Sequence, residues 1–326
     1  MKCSTLRNKI MPVLLMLSFT ASLMGGSTVQ AASSSSSILS QSTVASQKNG
    51  AKEVAVIDTN NTDIGNVDVS QLTVKPIAPT TIAGAAVLID ADTGEILFEK
   101  NPDKWMHPAS TTKMVTLLTA LEKKGTRLDE LATVSPYAVS MEESNLGLRV
   151  GDQLPLEAVI EGMMVASGND AAVVVAENVS GSVHNFAKAM NEVAKKAGAK
   201  HSHFLNPHGL TQQGHYSTAR DLAMIAAYGM KYKMFRDKVA NDYYTVKYQN
   251  RAAETVRTTN LFIRNKYPGA NGLKTGYTEA AGDCLIASAT RDRHTMIVVL
   301  LNDDDRWTDA PAFLDYGFEV AALRDK

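Results

Sequence analysis

AAVLIDADTGEILFEKN, residues 85–101, holds two apolar runs on either side of an Asp-Thr-Gly turn. Such a pair predicts an antiparallel hairpin, because Asp and Gly accept the backbone angles that a tight reversal needs. Far along the chain, CLIASAT (284–290) and TMIVVLLN (295–302) are two more strand-like runs, joined only by Arg-Asp-Arg-His. YYTVKY (243–248) reads as a further strand. Between the early and late strands the period changes to that of a helix. VIEGMMVA (159–166), AAVVVAENV (171–179), NFAKAMNEVAKKAG (185–198) and STARDLAMIAAYGMKY (217–232) carry it, and RWTDAPAFLDYGFEVAAL (306–323) predicts a closing helix. Strands at both ends with helices between them predict an α/β fold of the α+β kind: an antiparallel sheet flanked by helices, with a helical insert.

The segment before the hairpin is of another character. MKCSTLRNKIMPVLLMLSFTASLMGGSTVQA sets Lys2, Arg7 and Lys9 ahead of a short apolar run and ends in small residues, the pattern of a secretory signal peptide over 1–31. SSSSSILSQSTVASQKNG follows, and residues 32–79 read as a Ser-rich flexible tether in which KEVAVIDT (52–59) could pair with a sheet. The folded domain is expected over 80–326. With 33 basic and 34 acidic residues, loss of the leader's three basic side chains leaves 30 against 34, a net charge of −4. An acidic chain of this kind excludes nucleic acid as a partner. Cys3 leaves with the leader, so Cys284 has no disulfide partner, and its strand context makes it a small core residue. The protein is expected outside the cytoplasm, in the cell wall or periplasm. No C-terminal membrane anchor is evident, so a free or loosely tethered enzyme is expected.

Three polar islands interrupt this pattern. HPASTTKM (107–114) places Ser110 and Lys113 three residues apart, nearly one helical turn, so that both point from one face. A seryl hydroxyl becomes a strong nucleophile only when a base takes its proton, and a lysine can be that base only while neutral. About one Ser-x-x-Lys is expected by chance in a chain this long, so the pair needs support. MVASGNDAA (164–172) sets Ser167 and Asn169 between apolar helical runs, where polar groups are costly unless they face a cleft. GANGLKTGYTEAAG (269–282) sets Lys274 and Thr275 on a strand, followed by Gly276, which lets a ligand approach the backbone.

Ser-x-x-Lys, then Ser-x-Asn, then Lys-Thr-Gly, in that order, resembles the penicillin-recognising serine acyltransferases. Within them the chain resembles the low-molecular-mass penicillin-binding proteins of the D-alanyl-D-alanine carboxypeptidase family. The likeness extends through LIDADTGEILFEKN, FLNPHGL, STARDLA and TTNLF, from about Ile82 to Phe318. It implies a β-lactamase/transpeptidase-like fold and removal of the terminal D-alanine from peptidoglycan stem pentapeptides through an acyl-enzyme. β-Lactam antibiotics would be covalent inhibitors, and no cofactor or metal would be required. By the same resemblance Ser110 is the nucleophile, Lys113 its base and Ser167 a proton carrier. Asn169, Lys274, Thr275 and Gly276 bind substrate, and the backbone N–H groups of Ser110 and Tyr277 form the oxyanion hole. The family often has histidine where this chain has Tyr277, whose side chain therefore receives no role. Thr111 and Thr112 receive none either.

Four other readings compete. A D,D-endopeptidase that cuts cross-links would share all three motifs. A β-lactamase needs a glutamate in a local Glu-x-x-Leu-Asn pattern, which is missing from the sequence. A non-catalytic penicillin sensor would not need complete second and third motifs. A zinc peptidase could draw on His201, His203, His208 and His215 in HSHFLNPHGLTQQGH, but none has glutamate three residues before it. Asn206 to Gly209 read as a structured loop with surface histidines around it.

Overall fold

The computed structural model describes residues 29–32, 41–48, 51–58, 74–142 and 144–325. The chain divides into two units, Met1–Ile77 and Ala78–Lys326. In the first, strands β1 (Val29–Ala32), β2 (Gln41–Lys48), β3 (Ala51–Asp58) and β4 (Val74–Pro76) form an antiparallel sheet in that order. This is more pairing than a tether over 32–79 called for. The alternating Val and Ala of KEVAVIDT lie in β3, and valine suits a pleated strand. The expected signal peptide lies outside the described residues apart from Val29–Ala31.

The second unit is built on a five-stranded sheet. The opening hairpin forms as predicted, with β5 (Ala85–Asp90) paired to β6 (Ile96–Lys100). Then come α1 (Thr112–Lys124), α2 (Pro136–Val139), α3 (Leu156–Ala166), α4 (Asn169–Ser180), α5 (Val183–Lys196), α6 (Ala219–Gly229) and α7 (Lys233–Val239). β7 (Tyr243–Val246) and β8 (Glu254–Arg257) pair only with each other, so YYTVKY starts a separate two-stranded sheet rather than joining the main one. A short α8 (Leu261–Arg264) leads to β9 (Ala270–Thr278), β10 (Gly282–Arg291) and β11 (His294–Leu301), and α9 (Arg306–Arg324) closes the described chain. The sheet order is β6-β5-β11-β10-β9, with every pairing antiparallel.

The strand period of two sorts the core into two layers. Ala85, Val87 and Ile89 face one way with Ile286, Ile297 and Val299, and they pack with buried side chains of α1, α4 and α6. Ala86, Leu88, Leu285, Ala287, Val298 and Leu300 face the other way, onto Phe313 and Leu314 of α9. Both faces of the sheet are therefore covered, which is why its strands read as nearly continuous apolar runs. Cys284 is fully buried in the first layer, and burial raises its thiol pKa to about 11, so it is a core residue as expected. On α1, Met114, Leu117, Leu118 and Leu121 are all buried, and Gly125 ends the helix with φ at +60°. The three sequence motifs thus lie on elements that meet at one edge of the sheet: the start of α1, the α3–α4 junction and edge strand β9.

Phe313 is fully buried, with its ring centroid 4.6 Å from that of Phe98 across the sheet–helix layer. Phe313→Ala is expected to cost about 3–5 kcal/mol of stability, read from urea unfolding. A loss below about 1 kcal/mol would mean that α9 does not anchor this face.

Candidate active site

Ser110 lies in a 3-10 turn, Ala109–Thr111, directly before α1. In a 3-10 turn residues i and i+3 eclipse, so the spacing seen in the sequence brings Ser110 and Lys113 together although the α-helix proper starts only at Thr112. Ala109 holds the left-handed backbone angle φ +48°, unusual for a side chain other than glycine. Lys113 is 0% exposed, and its Nζ lies 2.9 Å from Ser110 Oγ. It also donates to Asn169 Oδ1 at 2.7 Å and to the carbonyl of His208 at 2.9 Å. Burial holds the Lys113 pKa well below the ordinary lysine value, and the positive charge of Lys274 adds to the depression, while the Asp170 carboxylate acts in the opposite sense. A neutral amine has two N–H groups and one lone pair. Asn169 Oδ1 and the His208 carbonyl can only accept, so they take the two hydrogens and the lone pair is left for the hydroxyl proton of Ser110. Asn169 is held in this sense because its Nδ2 donates to the Glu142 carbonyl at 2.9 Å.

The other two islands meet the first. Ser167, at the end of α3, has φ +60° and so turns the chain sharply into α4, which Asn169 starts. Lys274 of β9 is 2% exposed, and its Nζ donates to Ser167 Oγ at 2.9 Å and to the Thr275 carbonyl at 3.1 Å. Burial pulls its pKa down to about 7. Thr275 Oγ1 pairs with Thr259 Oγ1 at 2.6 Å, which brings the TTNLF stretch to the site. Gly276 was expected to admit a ligand to the backbone. It also admits the Ala109–Thr111 turn, because a Cβ there would stand 3.0 Å from Ser110 N and 3.0 Å from Ala109 Cβ. Tyr277 is 65% exposed.

Several participants had no sequence signal. The carbonyl of His208 is one, since a backbone atom leaves no trace in residue identity. Its neighbours complete a brace: Thr116 Oγ1 donates to the Pro207 carbonyl at 2.6 Å, and a Cβ on Gly209, which has φ +90°, would stand 1.8 Å from the Ala109 carbonyl oxygen. Of the histidines expected at the surface around the 206–209 loop, His201 and His203 are exposed but His215 is buried. His208, within the loop, is buried as well, and burial lowers the pKa values of His208 and His215 to about 3 and about 4. His215 Nδ1 accepts from the Leu205 N–H at 3.1 Å, so its hydrogen is on Nε2, 3.1 Å from Thr112 Oγ1. Thr112, to which the sequence assigned nothing, thereby ties the start of α1 to the loop. Asp170 is the other unforeseen group. Its carboxylate accepts from the N–H groups of Leu146, Gly147 and Leu148 at 2.7, 2.9 and 3.0 Å, pinning that loop beside Asn169. Gly168 is required there, because a Cβ would lie 2.8 Å from Asp170 Oδ1 and 2.9 Å from Leu146 N.

The family profile described as D-alanyl-D-alanine carboxypeptidase, peptidase family S11, matches residues 72–305. D-alanyl-D-alanine carboxypeptidase DacF of Bacillus subtilis is 38% identical over 248 residues, 72% of this chain and 62% of the relative. A D-alanyl-D-alanine endopeptidase of Pseudomonas aeruginosa is 32% identical over 238 residues, covering 72% of this chain and 75% of that protein. Among solved structures, the Streptomyces K15 DD-transpeptidase superposes with a TM-score of 0.70 at 31% identity, over 74% of this chain and 99% of that one. The chain spans about three fifths of the length of the first curated relatives that it matches. Matched by that profile over most of its length and 38% identical to the Bacillus subtilis protein, the chain belongs to the S11 family of serine D-alanyl-D-alanine carboxypeptidases.

Proposed function

We propose that this protein is a serine D,D-peptidase that removes the terminal D-alanine from peptidoglycan stem pentapeptides. The observation that carries this reading is the buried amine of Lys113, 2.9 Å from Ser110 Oγ, with two acceptor-only partners that leave its lone pair for the hydroxyl. Ser110 Oγ attacks the carbonyl of the penultimate D-alanine while Lys113 Nζ takes its proton. The oxyanion is held by the N–H groups of Ser110 and Tyr277, each worth about 3–4 kcal/mol in related acyl transfer; the tight packing of Gly276 on the catalytic turn supports this pairing. Lys274, with Thr275, receives the terminal carboxylate, and Asn169 orients both Lys113 and the substrate amide. Ser167 Oγ, hydrogen-bonded to Lys274, passes a proton to the departing amine. The C–N bond breaks, D-alanine leaves, and water then hydrolyses the ester on Ser110. Penicillin enters the same path and stops at the ester.

A second reading follows from the Pseudomonas aeruginosa relative, a D-alanyl-D-alanine endopeptidase. The same residues would cut a cross-link if the leaving amine belonged to a second stem. Either substrate lies outside the cytoplasm, in keeping with a signal peptide over 1–31 and a tether over 32–79. No helix among the described residues is long and apolar enough to cross a membrane.

Fluorescent penicillin is expected to label the wild type covalently and to leave Ser110→Ala unlabelled. Mass analysis of muropeptide digests should show D-alanine released from pentapeptide, whereas monomers appearing from dimers would transfer the assignment to the endopeptidase. Rapid penicillin turnover would make it a β-lactamase. Lys113→Ala should lower the acylation rate by about 10²–10⁴-fold at neutral pH, and near-normal acylation would reject Lys113 as the base.

The pH profile has a definite sign. Lys274 is protonated below its pKa of about 7 and loses its charge above it. The kcat/KM for a peptide ending in a carboxylate, which reports the free enzyme, should therefore fall on the alkaline side of about pH 7, while kcat holds to higher pH because the bound carboxylate raises the Lys274 pKa. Lys274→Arg, always charged, should lose the alkaline limb of kcat/KM. A limb that persists in that variant would assign it to another group.

A further inference from the structure

Gly147 is gripped from two sides. Its N–H donates to Asp170 Oδ2 at 2.9 Å, and its carbonyl accepts from Arg251 Nη2 at 3.2 Å. Arg251 lies in the turn between β7 and β8, a ribbon apart from the main sheet. Its guanidinium spans Asp152, Nε to Oδ1 at 2.9 Å and Nη2 to Oδ2 at 3.1 Å, while Nη1 donates to Glu254 Oε1. Side-chain exposure is 14% for Arg251 and 4% for Asp152, so removing the guanidinium alone strands a buried carboxylate. The neighbours of Arg251 hold the same loop. Asn250 Nδ2 donates to the Gly151 carbonyl at 2.8 Å, Asn250 Oδ1 accepts from the Gln153 N–H at 3.0 Å, and the Gln249 N–H donates to the Gln153 carbonyl at 2.7 Å. None of these residues belongs to the three motifs.

The other end of the loop wraps the start of α4. The Glu142 carbonyl accepts from Asn169 Nδ2 at 2.9 Å, the Ser144 carbonyl from the Asn169 N–H at 2.6 Å, and Asn145 Oδ1 from the Asp170 N–H at 3.2 Å. Together with the N–H groups of Leu146, Gly147 and Leu148 on the Asp170 carboxylate, these bonds fix the carboxamide whose Oδ1 takes a hydrogen from Lys113. The titratable groups facing the Lys113 amine are the Lys274 ammonium from β9, the Asp170 carboxylate from α4 and the His208 imidazole, neutral through burial. Lys274 favours the neutral amine and Asp170 the ammonium. A loop lifted from α4 would take from Asp170 the N–H groups that offset its charge and would admit water to the amine. Both changes favour the ammonium, which cannot act as a base.

We propose that Arg251 is a positioning residue for acylation: its grip on Gly147 and Asp152 holds the 144–152 loop against the start of α4, and that loop keeps Asn169 aimed at the Lys113 amine. It acts through Asn169, not on the reacting atoms. The proposal rests on the reading of Lys113 as the base of a D,D-peptidase, and the test separates the two.

The rate of acylation by fluorescent penicillin is measured against pH for the full chain and its Arg251 variants, with urea unfolding alongside. A base must be neutral, so acylation falls as the pH drops through the Lys113 pKa. Arg251→Ala should slow acylation at neutral pH by about 10- to 100-fold and move this acid limb to higher pH, while the alkaline limb of kcat/KM assigned to Lys274 stays in place. Arg251→Lys keeps the charge but lacks the planar fork that spans Asp152 and the Gly147 carbonyl, so its profile should fall short of the wild type. The double variant Asp152→Asn/Arg251→Ala strands no charge, which keeps the test open if the single variant fails to fold, and it should show the same displaced limb. An acid limb unmoved in the folded alanine variants, whatever their stability in urea, would overturn the positioning role. So would a wild-type profile in Arg251→Lys, which would assign the effect to charge alone. A wild type that penicillin does not label loses the peptidase reading, and one that labels while the limb stays put in the variants loses only the role of Arg251.

Discussion

A lysine side chain buried to 0% exposure at the start of α1 is the constraint on which the rest of the site depends. An ammonium there would be poorly solvated, and a neutral amine must still satisfy two N–H groups. The chain meets this with acceptors from two distant places, Asn169 at the start of α4 and His208 in the loop before α6. Each acceptor needs its own support. Asn169 is positioned by the Asp170 carboxylate that clasps Leu146–Leu148, and His208 by the close contacts of Pro207 and Gly209 with α1. The packing around this one nitrogen thus dictates a glycine, an aspartate and a loop conformation outside the three motifs.

The fold was legible where burial forces a pattern. The runs at 85–101, 284–290 and 295–302 announce their strands because every position faces one of two packed layers. YYTVKY was legible as a strand but not in its partner: tyrosine and valine suit any pleated surface, and nothing local tells the main sheet from a two-stranded ribbon. Of the site, the six side chains that the three motifs singled out, Ser110, Lys113, Ser167, Asn169, Lys274 and Thr275, were legible as a set that the fold brings together. The contribution of His208 was hidden because its carbonyl does the binding. His215 was misread as a surface residue because a neutral, fully hydrogen-bonded imidazole has no composition signal to separate it from a solvated one. Gly276 was read as a site of close approach, and the Ala109–Thr111 turn lies near it.

The two buried lysines also set stability against activity. The Lys274 pKa is about 7 in the fold, against 10.5 for an ordinary lysine. Between those values the unfolded chain binds the proton and the folded chain does not, so stability rises with pH across this window at up to about 1.4 kcal/mol per unit. Below about pH 7 the full cost of the buried charge is present. Yet that is where Lys274 carries the charge proposed to hold the carboxylate and to keep Lys113 neutral. Raising the pH relieves the fold and, by discharging Lys274, lets the Lys113 pKa rise and weakens the grip on substrate. The fold tolerates the charge because Ser167 Oγ and the Thr275 carbonyl hydrogen-bond the ammonium in place. On the proposed mechanism, bound substrate adds a counter-charge, so the acidic terminus of the peptide should stabilise the same ion whose burial costs the free protein most below about pH 7.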